Sequence, residues 1–588
     1  MKKFLKYILA TVIGVIISAI LLFLFFLGII GALVSSSEKQ AEVKPKSILI
    51  LTLDKEITDR ASNNPFEDIN FMEFKKEHKL GLNDILDDIK KAKNDDNIKG
   101  IYLEFTNIPT GFATIEEIRN AILDFKKSGK FVIAYSDFYE QKSYYLASVA
   151  DKIYMNPQGK LFLIGLRGEV IFYKGTLEKL GIEPEIIRHG KFKSAVEPFM
   201  KEKMSDENRL QITSFLNSIW NHMLDGISKQ RNTSKGELNF IANKLISTNP
   251  DLCLAHKLVD SLIYKDQVNE MLMKLSGQSG KNPKFITIEK YNKVPKNIKG
   301  KGFAKSKIAI VYAYGDVDMG NGGEGTVSSE RISKALYEAR VDSSIKAIVF
   351  RINSPGGSAL ASEVIWREIA LASKTKPVVA SMGNLAASGG YYIACAADTI
   401  VASPNTITGS IGVFGFMFNC KDFLNKKLGI TTDVAKTNEH ADILTISRPL
   451  SIVEKEVLQN EVDRTYDTFI SHVAEGRKMK KETVDKIAQG RVWTGIEAKD
   501  IGLVDIIGGL DDAIQIAAKM AKIENYRVIA LPKLEEPFEE LISDLTGDVK
   551  TKILVNELGE SYWYYEKYIN IMKMEGIQTR MSFDVEIK

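Results

Sequence analysis

The sequence predicts an α/β fold built twice in one chain. Short apolar runs alternate with amphipathic stretches. Ile98 to Phe105 is followed by Thr114 to Lys127, and Ile345 to Ile352 by Ser358 to Ser373. This is the order of strand and helix in an α/β domain. An internal repeat supports the doubling: residues 144–165 match 391–412 at a constant offset of 247 positions. Tyr144/Tyr391, Tyr145/Tyr392, Ala147/Ala394, Ala150/Ala397, Asp151/Asp398, Ile153/Ile400, Pro157/Pro404, Ile164/Ile411 and Gly165/Gly412 are identical. Chance would give about one or two such matches. At 588 residues the chain is also too long for one ordinary core.

In chain order, residues 1–6 carry Lys2, Lys3 and Lys6, and Tyr7 to Ser37 contains no charge. Residues 7–34 are long and apolar enough to span a bilayer core of about 30 Å. The run exceeds the apolar region of a cleavable signal, about 7–15 residues, so an uncleaved transmembrane anchor is expected. The lysines keep the N-terminus in the cytoplasm and export the rest. Residues 35–45 form a stalk and 46–285 a first half. Residues 286–306 form a linker rich in Gly, Lys, Asn and Pro, and 307–531 a second half. Residues 532–588 resemble neither half, and their cluster Tyr562 to Tyr565 reads as packing. Ser47 to Leu51 parallels Lys307 to Val311, and Ala255 to Asp260 parallels Asp500 to Asp505.

Composition narrows the function. Hydrophobic residues make up 45% and charged residues 26%, as in a globular protein, and the net charge of +4 gives no case for nucleic acid. Cys253, Cys395 and Cys420 are too far apart for a zinc site and read as core thiols. No His-Glu-x-x-His pattern occurs among the six histidines. Neither a metal nor a cofactor is expected.

Two strand-end turns carry chemistry. Pro377-Val378-Val379 reads as a buried strand, and Ala386-Ala387-Ser388-Gly389-Gly390 follows before a small-residue helix. A serine among small residues at such a turn exposes its hydroxyl, and the glycines let a substrate backbone approach. The helix N-terminus favours negative charge beside it. Alone, this pattern is more often a tight turn. The second turn, Asn353-Ser354-Pro355-Gly356-Gly357, ends the strand from Ala347. Its backbone N–H groups can converge as an oxyanion hole. The repeat fails at this chemistry: Ser388, Gly389 and Gly390 correspond to Gln141, Lys142 and Ser143, and Lys193 corresponds to His440.

Asn353 to Gly357, Ala386 to Gly390, Thr408 to Gly412 and Phe192 to Phe199 together resemble the signal peptide peptidase A family in its long, duplicated form. The resemblance implies tandem Clp-protease/crotonase-like domains of repeated β-β-α units. It also implies a serine endopeptidase with a Ser–Lys dyad: Ser388 as nucleophile, Lys193 as general base and Ser410 orienting the lysine. Gly389 with Gly356 or Gly357 would supply the oxyanion hole. A base working near neutrality needs the lysine pKa lowered by about three units, roughly 4 kcal/mol. Phe192, Ala195, Val196 and Phe199 are suited to desolvate it.

Lys191 is an equal candidate on chemistry alone; the family motif selects Lys193. His189 and His440 are the rival bases, and Ser354, Ser358 and Ser381 the rival nucleophiles. The expected substrates are signal peptides and other apolar, membrane-derived peptides. The resemblance further implies a single-pass protein of the bacterial inner membrane, with its catalytic domain in the periplasm and a homotetrameric assembly. The competing readings are an inactive membrane scaffold and a crotonase-type acyl-CoA enzyme.

Overall fold

The computed structural model describes residues 42–61, 79–295, 304–534 and 577–581, with short pieces at 6–7, 11–18, 20–21, 69–70 and 75–76. Each half builds a largely parallel sheet. In the first, the strand order is Ser261–Leu262, Lys152–Phe162, Phe131–Glu140, Ile98–Glu104, Ser47–Leu51, Phe285–Thr287, all parallel. In the second it is Val492–Thr494, Ile407–Gly409, Val378–Ala387, Ile345–Ser354, Lys307–Tyr314, Arg527–Leu531, with only the first pair antiparallel. Thr399–Ala402 also pairs with Val378–Ala387.

Parallel strands are buried on both faces, which explains their near-continuous apolar sequences. Helices Leu82–Asn94 and Phe112–Lys126 press Ile85, Ile89, Ile115 and Ile122 into the core of Leu49, Ile101 and Leu103. Ser329–Val341 and Ala359–Ala372 do the same with Ile332, Leu336, Ile365 and Ile369 against Ile348 and Phe350.

The duplication extends to single hydrogen bonds. Tyr144 Oη donates to Leu258 O at 2.7 Å, and Tyr391 Oη to Leu503 O at 2.8 Å. Ile153 N donates to Asp260 Oδ2 and Ile400 N to Asp505 Oδ2, both at 2.8 Å. Helices Asp206–Arg231 and Ile452–Arg477 are both 26 residues long, and Ser205 and Ser451 cap them. Their terminal arginines, Arg231 and Arg477, pair with Asp260 and Asp505.

The halves are tied by a shared sheet and by buried side-chain contacts. A third sheet crosses between them in the order Thr326–Ser328, Asp316–Asp318, Gly356–Ser358, Ile577–Arg580, Val413–Asn419, Glu183–His189. A buried charge cluster also joins them. Arg351, fully buried, bonds Asp59 and Glu117 of the first half, each at 2.7 Å. Such a cluster tolerates burial only because each charge is paired and bonded. Asn384, on the strand that leads to Ser388, caps helix Phe112–Lys126 from outside: its Oδ1 accepts from Thr114 N at 3.0 Å. Gly111 leaves room for this contact, since a Cβ there would overlap Asn384.

The first half reaches further than the expected boundary at 286. Phe285–Thr287 is a sheet strand and Ile288–Asn292 a helix that buries Tyr291, because Ile286, Ile288 and Tyr291 supply apolar contacts to the first core. The proposed anchor at 7–34, the stalk and the Tyr562–Tyr565 cluster lie largely outside the described residues. Among those that are described, no helix is long and apolar enough to cross a membrane. Cys253, Cys395 and Cys420 are buried free thiols.

Candidate active site

Strand Val378–Ala387 delivers Ser388 to the start of helix Gly389–Ala394. Ser388 has φ +56° and ψ −113°, a conformation that L-residues rarely adopt. Ser388 N donates to Gly409 O at 2.8 Å, which helps to hold the turn. Gly389 follows, and its N–H is one of the helix's first donors, without an intrahelical acceptor.

Lys193 arrives from the first half, after strand Glu183–His189 and just before the turn Ser194–Val196. Its side chain is fully buried, and its Nζ lies 2.8 Å from Ser388 Oγ, 3.0 Å from Ser410 O and 3.1 Å from Ser410 Oγ. Burial alone drives its pKa well below the ordinary lysine value. A neutral amine has two protons and one lone pair. In that form its two protons would suit Ser410 O and Ser410 Oγ, and its lone pair would be free to accept from the Ser388 hydroxyl.

Backbone from the second half completes the wall. Phe192 N donates to Gln489 O at 2.8 Å, and Ser410 N to Arg491 O at 2.7 Å. Gly490, at φ +80°, lies against the lysine: a Cβ there would stand 2.6 Å from Lys193 N. This segment carries no motif that sequence reasoning could find, because its contribution is backbone and an absent Cβ.

Gly356 faces the Ser388 turn. It has φ +100°, and a Cβ on it would stand 2.6 Å from Gly389 N. Its own N–H donates to Ser354 Oγ at 3.2 Å. Gly357 lies in the sheet between Val317 and Thr579. Strand Ile577–Arg580, from the C-terminal extension that resembles neither half, runs antiparallel to Gly356–Ser358 and brings Thr579 O beside Gly356 and Gly389. Met581 N also donates to Pro355 O at 2.7 Å.

The rival residues are engaged elsewhere. Lys191 is exposed. His189 pairs with Asp463 at 2.7 Å and stacks on Tyr466. His440 joins a surface cluster with Glu454, 3.1 Å away. Ser381 Oγ accepts from Arg351, and Ser358 Oγ accepts from Ala361 N. At the repeat position of Ser388, Gln141 Nε2 donates to Gly165 O at 2.9 Å, and its Oε1 accepts from Gly165 N at 3.2 Å. The amide thus occupies the turn that Ser388 uses in the other half.

These features define the class: a serine peptidase on a Clp-protease-like α/β fold, with residues 306–408 matching the Clp protease family. Residues 124–279 and 370–524 each match peptidase family S49, one copy per half. The chain belongs to that family, in agreement with the resemblance read from its motifs. It is 38% identical to Protease 4 of Salmonella typhi over 485 residues, covering 80% of this chain and 77% of that one. It is 35% identical to the chloroplastic serine protease SPPA of Arabidopsis thaliana over 555 residues, covering 92% and 78%. Protease 4 of Haemophilus influenzae is 35% identical over 552 residues, covering 90% and 89%.

Proposed function

We propose that this serine peptidase works through a Ser388–Lys193 dyad as a membrane-anchored endopeptidase, cleaving signal peptides and other apolar peptides through an acyl-enzyme. The observation that carries the reading is the fully buried lysine amine 2.8 Å from the serine hydroxyl. Ser388 Oγ attacks the scissile carbonyl while Lys193 Nζ takes its proton. The oxyanion meets Gly389 N–H and an N–H of the Gly356–Gly357 turn. Lys193 then protonates the departing amine, and the first product leaves. Water, deprotonated by the same amine, attacks the ester and releases the acid. The buried lysine amine beside the Ser388 hydroxyl disfavours an inactive scaffold, and the expected export of the catalytic halves disfavours a crotonase-type acyl-CoA enzyme.

The third sheet suggests how a peptide lies. Ile577–Arg580 shows that an extended strand fits between Gly356–Ser358 and Val413–Asn419, against the dyad. A substrate adding as a strand would take that place, so this segment must move aside first. The lysines before residue 7 and the apolar run behind them support an anchor with the catalytic halves outside the cytoplasm.

A homo-oligomer, tetrameric by resemblance, is supported by the duplication. Within the chain, Gly111 to Glu117 of the first half cover Arg351, Asn384 and Leu510 of the second. The repeat counterparts of the covered residues are Glu104, Asp137 and Lys265. Glu104, Asp137 and Lys265 line an open cavity of about 680 Å³. The counterparts of the covering helix include Leu360 and Val364, 62% and 38% exposed. A second chain offering Leu360 and Val364 to that cavity would repeat the internal joint head to tail.

A direct test of the activity is hydrolysis of a synthetic signal peptide by the detergent-solubilised chain. Cleavage by the wild type and none by Ser388→Ala supports the reading; equal turnover overturns it.

A further inference from the structure

We propose that Gln211 is a positioning residue for the general base, registering the lysine loop of the first half against the wall segment of the second. The proposal rests on the Ser388–Lys193 assignment. Gln211 lies on helix Asp206–Arg231 and is fully buried. Its Nε2 is 3.1 Å from each of Phe192 O, Ser194 Oγ and Asn208 Oδ1. Phe192 and Ser194 flank Lys193 in sequence. The Gln211 Oε1 accepts from Val492 N at 3.2 Å. Val492 continues the segment whose Gln489 O, Gly490 and Arg491 O contact Phe192, Lys193 and Ser410. One amide therefore grips both segments between which the lysine amine is held.

The amide's orientation is fixed. Val492 N–H can only donate, so it must meet the oxygen, and the NH₂ must face Phe192 O. Asn208 is itself held by Glu197 Oε2 at 3.0 Å, which supports the clasp from behind. A buried amide is retained only where its bonds are made.

The duplication supplies an internal control. In the paired helix Ile452–Arg477, whose Ser451 cap corresponds to Ser205, the position of Gln211 is Val457, and it is 55% exposed. That half has no catalytic lysine, and its helix makes no such clasp.

Other charged groups near the lysine are engaged on their own account. Glu197 accepts from Ser205 N and Asn208, Arg491 stacks over Trp493, and His189 pairs with Asp463. Loosening the clasp should let Lys193 drift from Ser388 and admit water. A displacement near 1 Å costs about 100-fold in turnover. Hydration of the amine moves the activity limb to higher pH.

The test compares wild type with Gln211→Met, close in volume but without the amide, and with Gln211→Glu. Peptide hydrolysis and fluorophosphonate labelling of Ser388 are followed against pH, with thermal melts alongside. For Gln211→Met the expected result is a folded enzyme with kcat lowered about 100-fold, KM within about twofold and a pH limb about one unit higher. In Gln211→Glu a carboxylate cannot donate to Phe192 O while Val492 N keeps its acceptor, so the same fall in kcat and the same shift of the limb are expected; this variant carries the test if the Met variant fails to fold. A folded variant whose limb stays in place, with activity lost only in proportion to unfolded protein, overturns the proposal. Absence of Ser388 labelling in the wild type would instead contradict the dyad itself.

Discussion

Lys193 is an ionisable side chain that the fold buries completely. Its folded pKa is depressed by burial, so deprotonation in the native enzyme precedes deprotonation in the unfolded chain. Between the depressed value and the ordinary one, the unfolded chain binds the extra proton, and stability rises with pH. Activity should rise through the same depressed pKa, because only the neutral amine accepts a proton. Lys193→Met is expected to abolish hydrolysis and to flatten the dependence of stability on pH; chemical denaturation across pH checks the second point. Lys193→Ala and Ser388→Ala should each lose on the order of 10⁴-fold or more, with the double variant no worse, since the two act as a unit. Single-variant losses that multiply in the double variant would contradict this coupling. The serine turn and the lysine motif were legible in the sequence. Gln211 was not, because a glutamine on an amphipathic helix looks like a solvated face until the partner segment is placed over it.

At the scale of elements, the site depends on backbone that side chains cannot replace. Gly490→Ala forces a Cβ onto the Lys193 backbone at φ +80°, and should lower activity well beyond any loss of folded protein. Circular dichroism with activity assays separates the two effects. Asn384→Ala removes the outside cap on helix Phe112–Lys126, and should cost about 1 kcal/mol of stability. The strand Ile577–Arg580 lies against Gly356 and Gly389. Deleting residues from 577 onward should speed fluorophosphonate labelling of Ser388, provided the protein stays folded. The alternation of strand and helix was readable from periodicity, and the repeat fixed which elements correspond. The third sheet was not readable: its strands come from distant parts of the chain, and Ile577–Arg580 sits in a region unlike either half. The first half's reach past 286 was masked by surrounding Gly, Lys and Asn.

At the scale of the whole molecule, each half has what the other lacks. Gln141 fills the nucleophile turn of the first half, and His440 stands where the second half would carry its lysine. In the proposed mechanism two copies of one scaffold combine into a single dyad, with Lys193 Nζ of one half 2.8 Å from Ser388 Oγ of the other. Leu360→Asp with Val364→Asp should reduce the mass of the detergent-solubilised assembly, read by light scattering, if the internal joint is repeated between chains. The central claim is that a buried lysine from one half activates a serine from the other. The most direct measurement is fluorophosphonate labelling of the full chain, with the modified peptide identified by mass spectrometry, in wild type and in Lys193→Ala. Labelling at Ser388 in the wild type, lost in Lys193→Ala with the fold intact, is the predicted result. Labelling elsewhere, or undiminished labelling of Ser388 without the lysine, would contradict it.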